Sequence, residues 1–278
     1  MPFFGVLPHR RPIFQPEPSA DIGVNDAHAW RLNTAYRHVY NKLWLAQAQR
    51  LRTAPLGIDP RLFGFAEQDE VFVKPITNLA GMSLNAGVHR VADLPYRAGS
   101  FWCERLIGQQ TSTDCLVLNG QAQWFAHTLA ADEKNQQRPI YWQIGVDLPQ
   151  IEPLLSAFIA EHLSHYTGIC NVEMIGDKLI EMHLRGSNGF YDFYGDGFVS
   201  AWVRLVDQHK WHGLAKVQSG YVYSIFAQSP QQQLHAKAIE IAAKYHVRLQ
   251  ADHYVPDRLA IAYAQDLSAI RACLTEIL

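Results

Sequence analysis

Two acidic residues lie in neighbouring apolar runs, where their chemistry would be unusual. Glu173 belongs to ICNVEMI, and Glu181 alternates with His183 and Arg185 in the next run. Alternate residues of a β-strand share one face, so a hairpin through Gly176–Asp177 can bring the two carboxylates together. Carboxylates at close range repel each other unless a proton or a cation lies between them. Mg²⁺ is the expected cation, since it binds a few carboxylates together with phosphate and water oxygens.

Lys74 ends the short β-branched run VFVKP and is followed by a glycine-containing loop. A lysine at a strand end is a compact positive charge, and phosphate is its common partner. The loop contains Gly81 and Ser83, whose backbone N–H groups and hydroxyl can cover phosphate oxygens. The sequence contains neither GxxxxGK(S/T) nor GxGxxG, the two common phosphate-loop patterns. Taken alone, these features and the alternating charges are also typical of a solvated strand end and hairpin face.

The elements that must position these residues are strands interleaved with helices. Asn25 and Asp26 are good N-cap residues for a helix that stops before Pro55, and Asn119–Gly120 between apolar runs predicts a β-hairpin. The polar stretch 132–139 is expected to be a surface loop. Periodic patterns also predict helices over 148–165, near 231–246 and over 266–277, and a strand over 258–264. This mixture of elements indicates an α+β or mixed α/β protein.

Composition excludes several functional classes. The 278 residues are 48% hydrophobic and 18% charged, which is typical of a globular protein rather than a disordered one. A formal net charge of −2 leaves no broad basic field, so we expect neither a nucleic-acid nor a membrane partner. The four cysteines form no CxxC pair, and no apolar run is long enough to cross a bilayer. A cytoplasmic location is expected.

The order of the motifs resembles that of the ATP-grasp superfamily, carboxylate–amine ligase type. FWCERLIG places Glu104 and Arg105 between apolar residues, after the VFVKP strand and ahead of the hairpin. The family's site commonly ends in "G-x-x-x-x-E" and then "E-x-N-x-R", which here read Gly168 to Glu173 and Glu181 to Arg185. Asn41–Lys42 is similar to the family's "D-K" pair. The resemblance covers about residues 40–195.

The resemblance implies an α+β fold, the ATP-grasp fold, in which two α+β lobes clamp a nucleotide. We expect a short N-terminal segment and helix over 1–69, a small lobe over 70–125, and a large lobe with C-terminal α/β elements over 126–278. The N-terminal subdomain is expected to be truncated. The acceptor site would then be shortened, rebuilt from residues 186–257, or completed by another subunit, for example in a homodimer.

The resemblance also implies which residues bind ATP. Lys42 and Lys74 would contact phosphate oxygens, and Ser83 would lie in the loop that covers them. Gln110 would accept a hydrogen bond from ribose, at a position where the family often has an acid. Adenine would lie beside a hinge formed by Glu104, Arg105, Leu106 and Ile107.

The same resemblance implies a metal site and two catalytic residues. Glu173, Glu181 and His183 would bind the metal, while Arg185 and Lys74 would neutralise the transferring phosphoryl group. The family usually has Asn where this chain has His183. Because imidazole suits Mn²⁺ better than Mg²⁺, Mn²⁺ is an alternative metal.

The activity implied is an ADP-forming ligase reaction. ATP would activate a small-molecule carboxylate as an acyl phosphate, which a small-molecule amine would then attack. His183 and the short N-terminal region leave open a catalytically weakened nucleotide-binding regulatory subunit. An ATP-dependent phosphotransferase that acts on a hydroxyl is a further alternative on the same fold.

Overall fold

Two antiparallel β-sheets, one small and one large, organise the chain. The computed structural model describes residues 2–79, 85–252, 255 and 257–278. The strands are β1 (Phe3–Phe4), β2 (Ile22–Gly23), β3 (Thr53–Pro55), β4 (Glu70–Pro75), β5 (Gly87–Arg90), β6 (Ser100–Glu104), β7 (Gln110–Leu118), β8 (Gln121–Ala130), β9 (Lys134–Asn135), β10 (Arg138–Pro139), β11 (Tyr141–Val146), β12 (Gly168–Ile175), β13 (Lys178–His183), β14 (Gly220–Phe226), β15 (Arg248–Ala251) and β16 (Arg258–Ala264). The helices are α1 (Asp26–Leu32), α2 (Lys42–Ala48), α3 (Glu152–His162), α4 (Phe198–Gln208), α5 (Ala238–Lys244) and α6 (Leu267–Ile277).

The strand orders separate the two sheets along the sequence. The small sheet has the order β3-β6-β4-β5, and the large sheet has the order β13-β12-β7-β8-β11-β14-β16-β15. The chain leaves the small sheet at Glu104 and enters the large sheet at Gln110. The lobe boundary expected at 125/126 lies inside β8, which belongs to the large sheet. The segment 105–109 is therefore the connection between the two sheets.

Apolar side chains cover both faces of the large sheet. Leu116 of β7 packs in one cluster with Trp202 of α4. Its neighbours Cys115 and Val117 point the other way and pack in a second cluster with Ile159 of α3. A strand segment that is buried on both faces has a continuous run of apolar residues. The helices on either side of the large sheet form its outer layers. A third cluster packs α5 and α6 against β14, β15 and β16.

The two predicted hairpins of the large sheet are confirmed. Asn119 and Gly120 connect β7 to β8 with φ angles of 49° and 75°, the left-handed conformation that such tight turns require. Gly176–Asp177 connects β12 to β13, and Glu173 lies directly opposite Glu181. Met182 of β13 is fully buried, as the alternation predicts.

The single helix predicted to start at Asn25 or Asp26 and to stop before Pro55 is divided into three pieces. Asn25 caps α1 through a 3.0 Å bond from the His28 amide, and Asn41 caps α2 through a 2.9 Å bond from the Trp44 amide. The 3-10 helix Thr34–Tyr40 lies between them. Asparagine side chains compete with the helical backbone for hydrogen bonds, which explains the breaks. As a result, Lys42 stands in the first turn of α2, which packs against β13.

Several other elements differ from expectation in length. The predicted helix over 148–165 consists of the 3-10 helix Pro149–Ile151 and α3, and the one near 231–246 shrinks to α5. The polar stretch 132–139 forms the short hairpin β9–β10 instead of an irregular loop. The strand β16 and the helix α6, with Asp266 as its cap, are confirmed. No helix in the described ranges is long and apolar enough to cross a membrane.

Candidate active site between the two sheets

A cavity of about 200 Å³ lies where the small sheet meets the large one. Lys74 of β4 joins the sheets, because its Nζ donates a 2.9 Å hydrogen bond to the Ile180 carbonyl of β13. Most of the predicted site residues line this space, which we call the cleft cavity. Its polar lining includes Lys42, Lys74, Asn78, Glu104, Arg105, Gln110, Lys134, Gln137, Glu173 and Glu181.

Lys74 is a partly buried lysine with a lowered pKa. Burial, and then the nearby charge of Lys42, lower the pKa of Lys74 to about 8. Two ammonium groups at one cavity wall repel each other and favour a ligand that carries negative charge. An anion bound between the two lysines would offset this repulsion.

Glu173 and Glu181 face each other across the β12–β13 hairpin, with opposite shifts in pKa. Burial and the charge of Glu181 raise the pKa of Glu173 above its ordinary value. Burial also acts to raise the pKa of Glu181, but the charges of His183 and Lys42 outweigh it and hold this pKa below its ordinary value. Opposite pKa shifts are expected of two adjacent carboxylates when the surrounding positive charge is too small for both to ionise.

Glu181 Oε1 has two basic neighbours. Lys42 Nζ lies 2.7 Å from it, and His183 Nε2 lies 3.0 Å away. Both neighbours act to lower the pKa of Glu181. The other ring nitrogen of His183, Nδ1, lies 2.8 Å from Asp26 Oδ1. His183 therefore stands between two carboxylates.

Asp26 is a site residue that sequence reasoning missed. Arg185 donates two hydrogen bonds of 3.0 Å to Asp26, from Nε to Oδ1 and from Nη2 to Oδ2. Burial acts against ionisation of Asp26, but the charges of Arg185 and His183 lower its pKa to about 2. The sequence indicated Asp26 only as a helix start. Its contacts with His183 and Arg185 join residues that are distant in the sequence. No local pattern could have revealed it.

The carboxylate pair fits a hydrated divalent cation that also binds phosphate oxygens. The direct opposition of Glu173 and Glu181 and the raised pKa of Glu173 indicate that added positive charge would stabilise the ionised pair. Across the described part of the chain, no group of three or more His, Cys, Asp or Glu side chains could hold a metal ion. Mg²⁺ commonly uses one or two carboxylates and completes its shell with phosphate and water oxygens. The role of His183 as a metal ligand stays a prediction.

The predicted hinge is the segment that links the two sheets. Glu104, Arg105 and Leu106 line the cleft cavity. The Glu104 carboxylate accepts a 2.8 Å hydrogen bond from the Arg52 amide, and Arg105 forms an ion pair with Glu70. Ile107 is 91% exposed and does not line the cavity as described.

Gln110 lies at the carboxylate pair. Its Nε2 donates a 3.3 Å hydrogen bond to Glu173 Oε2, and its Oε1 accepts a 2.9 Å bond from Lys134 Nζ. Lys134 belongs to the short strand β9, within the stretch predicted to be a surface loop. Sequence reasoning therefore missed a third lysine at the cavity. Ser83, predicted for the covering loop, lies outside the described residues.

A second cavity, of about 370 Å³, lies on the other side of the carboxylate pair. Gln110, Glu173 and Glu181 line both cavities, so the two spaces meet at these three side chains. The remaining lining residues come from α1, from β10, from β13 and the residues after it, and from β11, β14, β16 and the segment before β16. They are Asp26, Arg138, Pro139, Trp142, His183, Arg185, Ser224, Phe226, Val255 and Arg258.

Comparison with known proteins identifies the fold. Neither a protein-family model nor a curated protein matches the sequence. Among solved structures, N5-carboxyaminoimidazole synthetase from Staphylococcus aureus complexed with ADP matches with a TM-score of 0.63 at 10% identity, over 91% of this chain and 79% of that one. L-amino acid ligase from Bacillus licheniformis matches with a TM-score of 0.60 at 13% identity, over 91% and 76%.

A third structure extends the comparison to a complex with two ligands. N5-carboxyaminoimidazole synthase from Aspergillus clavatus, in complex with ADP and 5-aminoimidazole ribonucleotide, matches with a TM-score of 0.60 at 13% identity. The match covers 92% of this chain and 76% of that chain. All three are ATP-grasp proteins. The chain described here therefore has the ATP-grasp fold.

Proposed function

We propose that this protein is an ADP-forming ligase that uses ATP and Mg²⁺ to join a small-molecule carboxylate to an amine. The observation that carries this proposal is the meeting of two cavities at Glu173 and Glu181. An ATP-dependent ligase must bring a nucleotide and an acid together at the γ-phosphate. Two spaces separated by a carboxylate pair provide that arrangement.

In this proposal ATP occupies the cleft cavity. The adenine lies beside the Glu104–Leu106 hinge, and the phosphates extend toward Lys74 and Lys42. The lowered pKa of Lys74 supports this orientation, because a bound triphosphate would offset the repulsion between the two lysines. Lys134, held by Gln110, adds a third positive charge at the same wall. Two of the structural neighbours are complexes with ADP, which supports a nucleotide as the ligand.

Glu173 and Glu181 would hold the metal, with Mn²⁺ as an alternative to Mg²⁺. When bound, the ion neutralises phosphate oxygens and offsets the repulsion between the two carboxylates. Arg185, fixed by Asp26, lines the second cavity beside this pair. Its guanidinium is positioned to neutralise charge on the transferring phosphoryl group.

The chemistry needs no side-chain nucleophile. A carboxylate oxygen of the acid attacks the γ-phosphorus, the bond to the β–γ bridging oxygen breaks, and ADP leaves with that electron pair. The amine nitrogen then attacks the acyl carbon, the bond between carbon and the phosphate oxygen breaks, and inorganic phosphate leaves. The proton of the amine passes to solvent. The protein contributes orientation and charge neutralisation.

The proposal is tested by measuring ADP release with panels of carboxylates and amines. We expect release that requires both an acid and an amine and that falls at least 100-fold in Glu181→Gln. Glu161→Gln is the matched control, because Glu161 is exposed on α3 and lines neither cavity as described. ADP release that accompanies phosphorylation of a hydroxyl compound, with no acid required, would instead indicate a phosphotransferase.

A regulatory nucleotide-binding subunit remains the second candidate, and one observation favours it. Lys42 and His183 both lie within 3.0 Å of Glu181 Oε1, where they supply the positive charge that a metal would otherwise bring. A protein of this kind would bind ATP with little dependence on Mg²⁺ and would release no ADP with any acid. Calorimetry with and without Mg²⁺ separates the two candidates.

We further propose how the acceptor site is assembled. Ser224, Phe226 and Val255 of the second cavity lie within residues 186–257, which supports an acceptor site rebuilt from that part of the chain. A homodimer or a partner subunit that completes this site would be detected by light scattering. We retain the cytoplasm as the expected location.

A further inference from the structure

The second cavity differs chemically between its ends. Glu173 and Glu181 stand on β12 and β13, at one edge of the large sheet. Ser224 and Arg258 stand on β14 and β16, near the opposite edge. Arg138 of β10 lies over the same cavity. One end therefore carries the carboxylates of Glu173, Glu181 and Asp26 beside His183 and Arg185, while the other carries two guanidinium groups that are paired with Asp257 and Asp252.

The two arginines are held rigidly at the cavity wall. Arg138 donates a 2.9 Å hydrogen bond to Asp257 and lies over the Phe226 ring, with its Cζ 4.2 Å from the ring centroid. Arg258 pairs with Asp252 and donates a 3.4 Å bond to the Ser224 hydroxyl. Buried guanidinium groups in fixed orientations lose little freedom when they bind a carboxylate or a phosphate. Arg138 is only 8% exposed and Arg258 is also largely enclosed, so neither is a freely solvated surface charge.

Apolar groups lie among these charges. Trp142, Pro139, Phe226 and Val255 contribute to the lining. Burying an apolar chain against such groups is favourable, whereas a polar chain there would lose hydrogen bonds to water. The volume of about 370 Å³ suits a metabolite-sized compound rather than a polymer.

We propose that the acid substrate is an elongated compound with two anionic groups and an apolar middle. Its reacting carboxylate lies beside Glu173 and Glu181, and its second carboxylate or phosphate is bound by Arg138 and Arg258. This inference rests on the proposed function, since it assigns the substrate class of that same site. Arg138 and Arg258 act as specificity residues that select the length and charge of the acid.

The inference is tested by calorimetry with α,ω-dicarboxylates of increasing chain length and the monocarboxylates of equal length. The titrations contain Mg²⁺ and a non-hydrolysable ATP analogue. We expect one dicarboxylate to bind at least ten-fold more tightly than its monocarboxylate, because a charged hydrogen bond changes affinity by about ten-fold to a hundred-fold. The same preference should appear as a lower KM in ADP release.

Substitutions test which residues cause the preference for the dicarboxylate. Arg138→Gln and Arg258→Gln should remove the advantage of the dicarboxylate, while Arg138→Lys, which keeps the charge, should retain part of it if the glutamine variant does not fold. Arg248→Gln is the control, since Arg248 pairs with Asp192 and does not line the cavity as described. All variants should bind the ATP analogue as the original protein does.

The outcomes separate this inference from the proposed function. Equal affinity for paired mono- and dicarboxylates, or no binding of any acid, overturns the dianionic substrate. A preference that survives both glutamine substitutions overturns the role of the two arginines. Failure to bind Mg·ATP overturns the proposed function, and a parallel set of acid titrations without nucleotide then tests the preference for two anionic groups by itself.

Discussion

At the scale of single residues, Asp26 organises one side of the carboxylate site. It pairs with Arg185 through two hydrogen bonds and lies 2.8 Å from His183 Nδ1. His183 in turn contacts Glu181. Asp26 of the N-terminal helix α1 therefore helps to orient His183 on β13 and Arg185 just after it. His183 thus lies beside a carboxylate that can orient its ring.

Replacing Asp26 tests this arrangement through stability. Asp26→Asn leaves the buried Arg185 without its counter-charge, and we expect a loss of about 3–5 kcal/mol in the free energy of unfolding at pH 7. Because the pKa of Asp26 is about 2 in the folded state, below its ordinary value of 3.8, its stabilisation is present above pH 3.8. The difference between the two proteins should therefore shrink as the pH falls from about 4 toward 2.

Urea denaturation at several pH values measures this difference. The exposed neighbour Asp21 provides the control substitution, Asp21→Asn, which should change the unfolding free energy by less than about 0.5 kcal/mol. A loss below about 1 kcal/mol in Asp26→Asn would show that the Asp26–Arg185 pair does not organise the site.

Lys74 gives a prediction about the pH dependence of nucleotide binding. With a pKa of about 8, Lys74 loses its charge as the pH rises through that value. The charged groups that face it are Lys42, Glu173 and Glu181, together with the Cys103 thiol, whose pKa burial raises to about 11. Affinity for ATP should fall by up to about ten-fold per pH unit above pH 8. Calorimetry between pH 7 and pH 10 measures this decline.

The conservative variant Lys74→Arg is the internal test of this explanation. Arginine stays charged throughout that range, so its ATP affinity should vary little with pH. If the variant showed the same decline as the original protein, a group other than Lys74 would be responsible.

At the scale of elements, hairpins decide which residues meet. The turn Asn119–Gly120 aligns β7 with β8, and the turn Gly176–Asp177 aligns β12 with β13. Both turns were predictable, because alternation and turn residues act over a few neighbouring positions. The pairing of Glu173 with Glu181 also needs a β-bulge between Glu173 and Met174, because strict pairing from the two-residue turn would place Ile180 opposite Glu173.

Elements whose placement depends on distant contacts were less predictable. The break of the N-terminal helix at Asn33 and Asn41 places Asp26 and Lys42 on separate helices that both reach β13. The hairpin β9–β10 carries Lys134 and Arg138 over the cavities, although its polar sequence is typical of a surface loop. Local periodicity carries no information about such long-range packing. The second cavity, which several distant strands line, was therefore beyond sequence reasoning.

The β7–β8 turn provides a prediction at this scale. Gly120 has φ +75°, and an added Cβ would lie 2.9 Å from Ser164 Cα and 3.0 Å from the Leu163 carbonyl oxygen. Gly99 has a similar φ of +70° but open space around a Cβ, so Gly99→Ala is a matched control. We expect Gly99→Ala to cost about 1 kcal/mol for its backbone conformation and Gly120→Ala to cost about 1–3 kcal/mol more.

Chemical denaturation of the two alanine variants measures both losses. Equal losses would mean that the turn can move away from the α3 end at no cost, contrary to the packing described.

At the scale of the whole molecule, the site exists only because two sheets meet. Lys74 belongs to the small sheet, Glu173 and Glu181 belong to the large one, and the hinge Glu104–Leu106 connects them. The sequence order of these motifs predicted a fold of two lobes, and the fold comparison supports that prediction. In our proposal the second cavity, where side chains from opposite edges of the large sheet converge, selects the acid substrate.

The central claim is that the cleft cavity binds Mg·ATP through residues of both sheets. Titration of ATP into the protein by calorimetry, with and without Mg²⁺, tests it most directly, with Lys74→Gln as the site variant and the exposed Lys244→Gln as control. We predict one ATP per chain, with affinity at least ten-fold weaker without Mg²⁺ and in Lys74→Gln, and unchanged in Lys244→Gln. Absence of ATP binding, or equal affinity in Lys74→Gln, would contradict the claim.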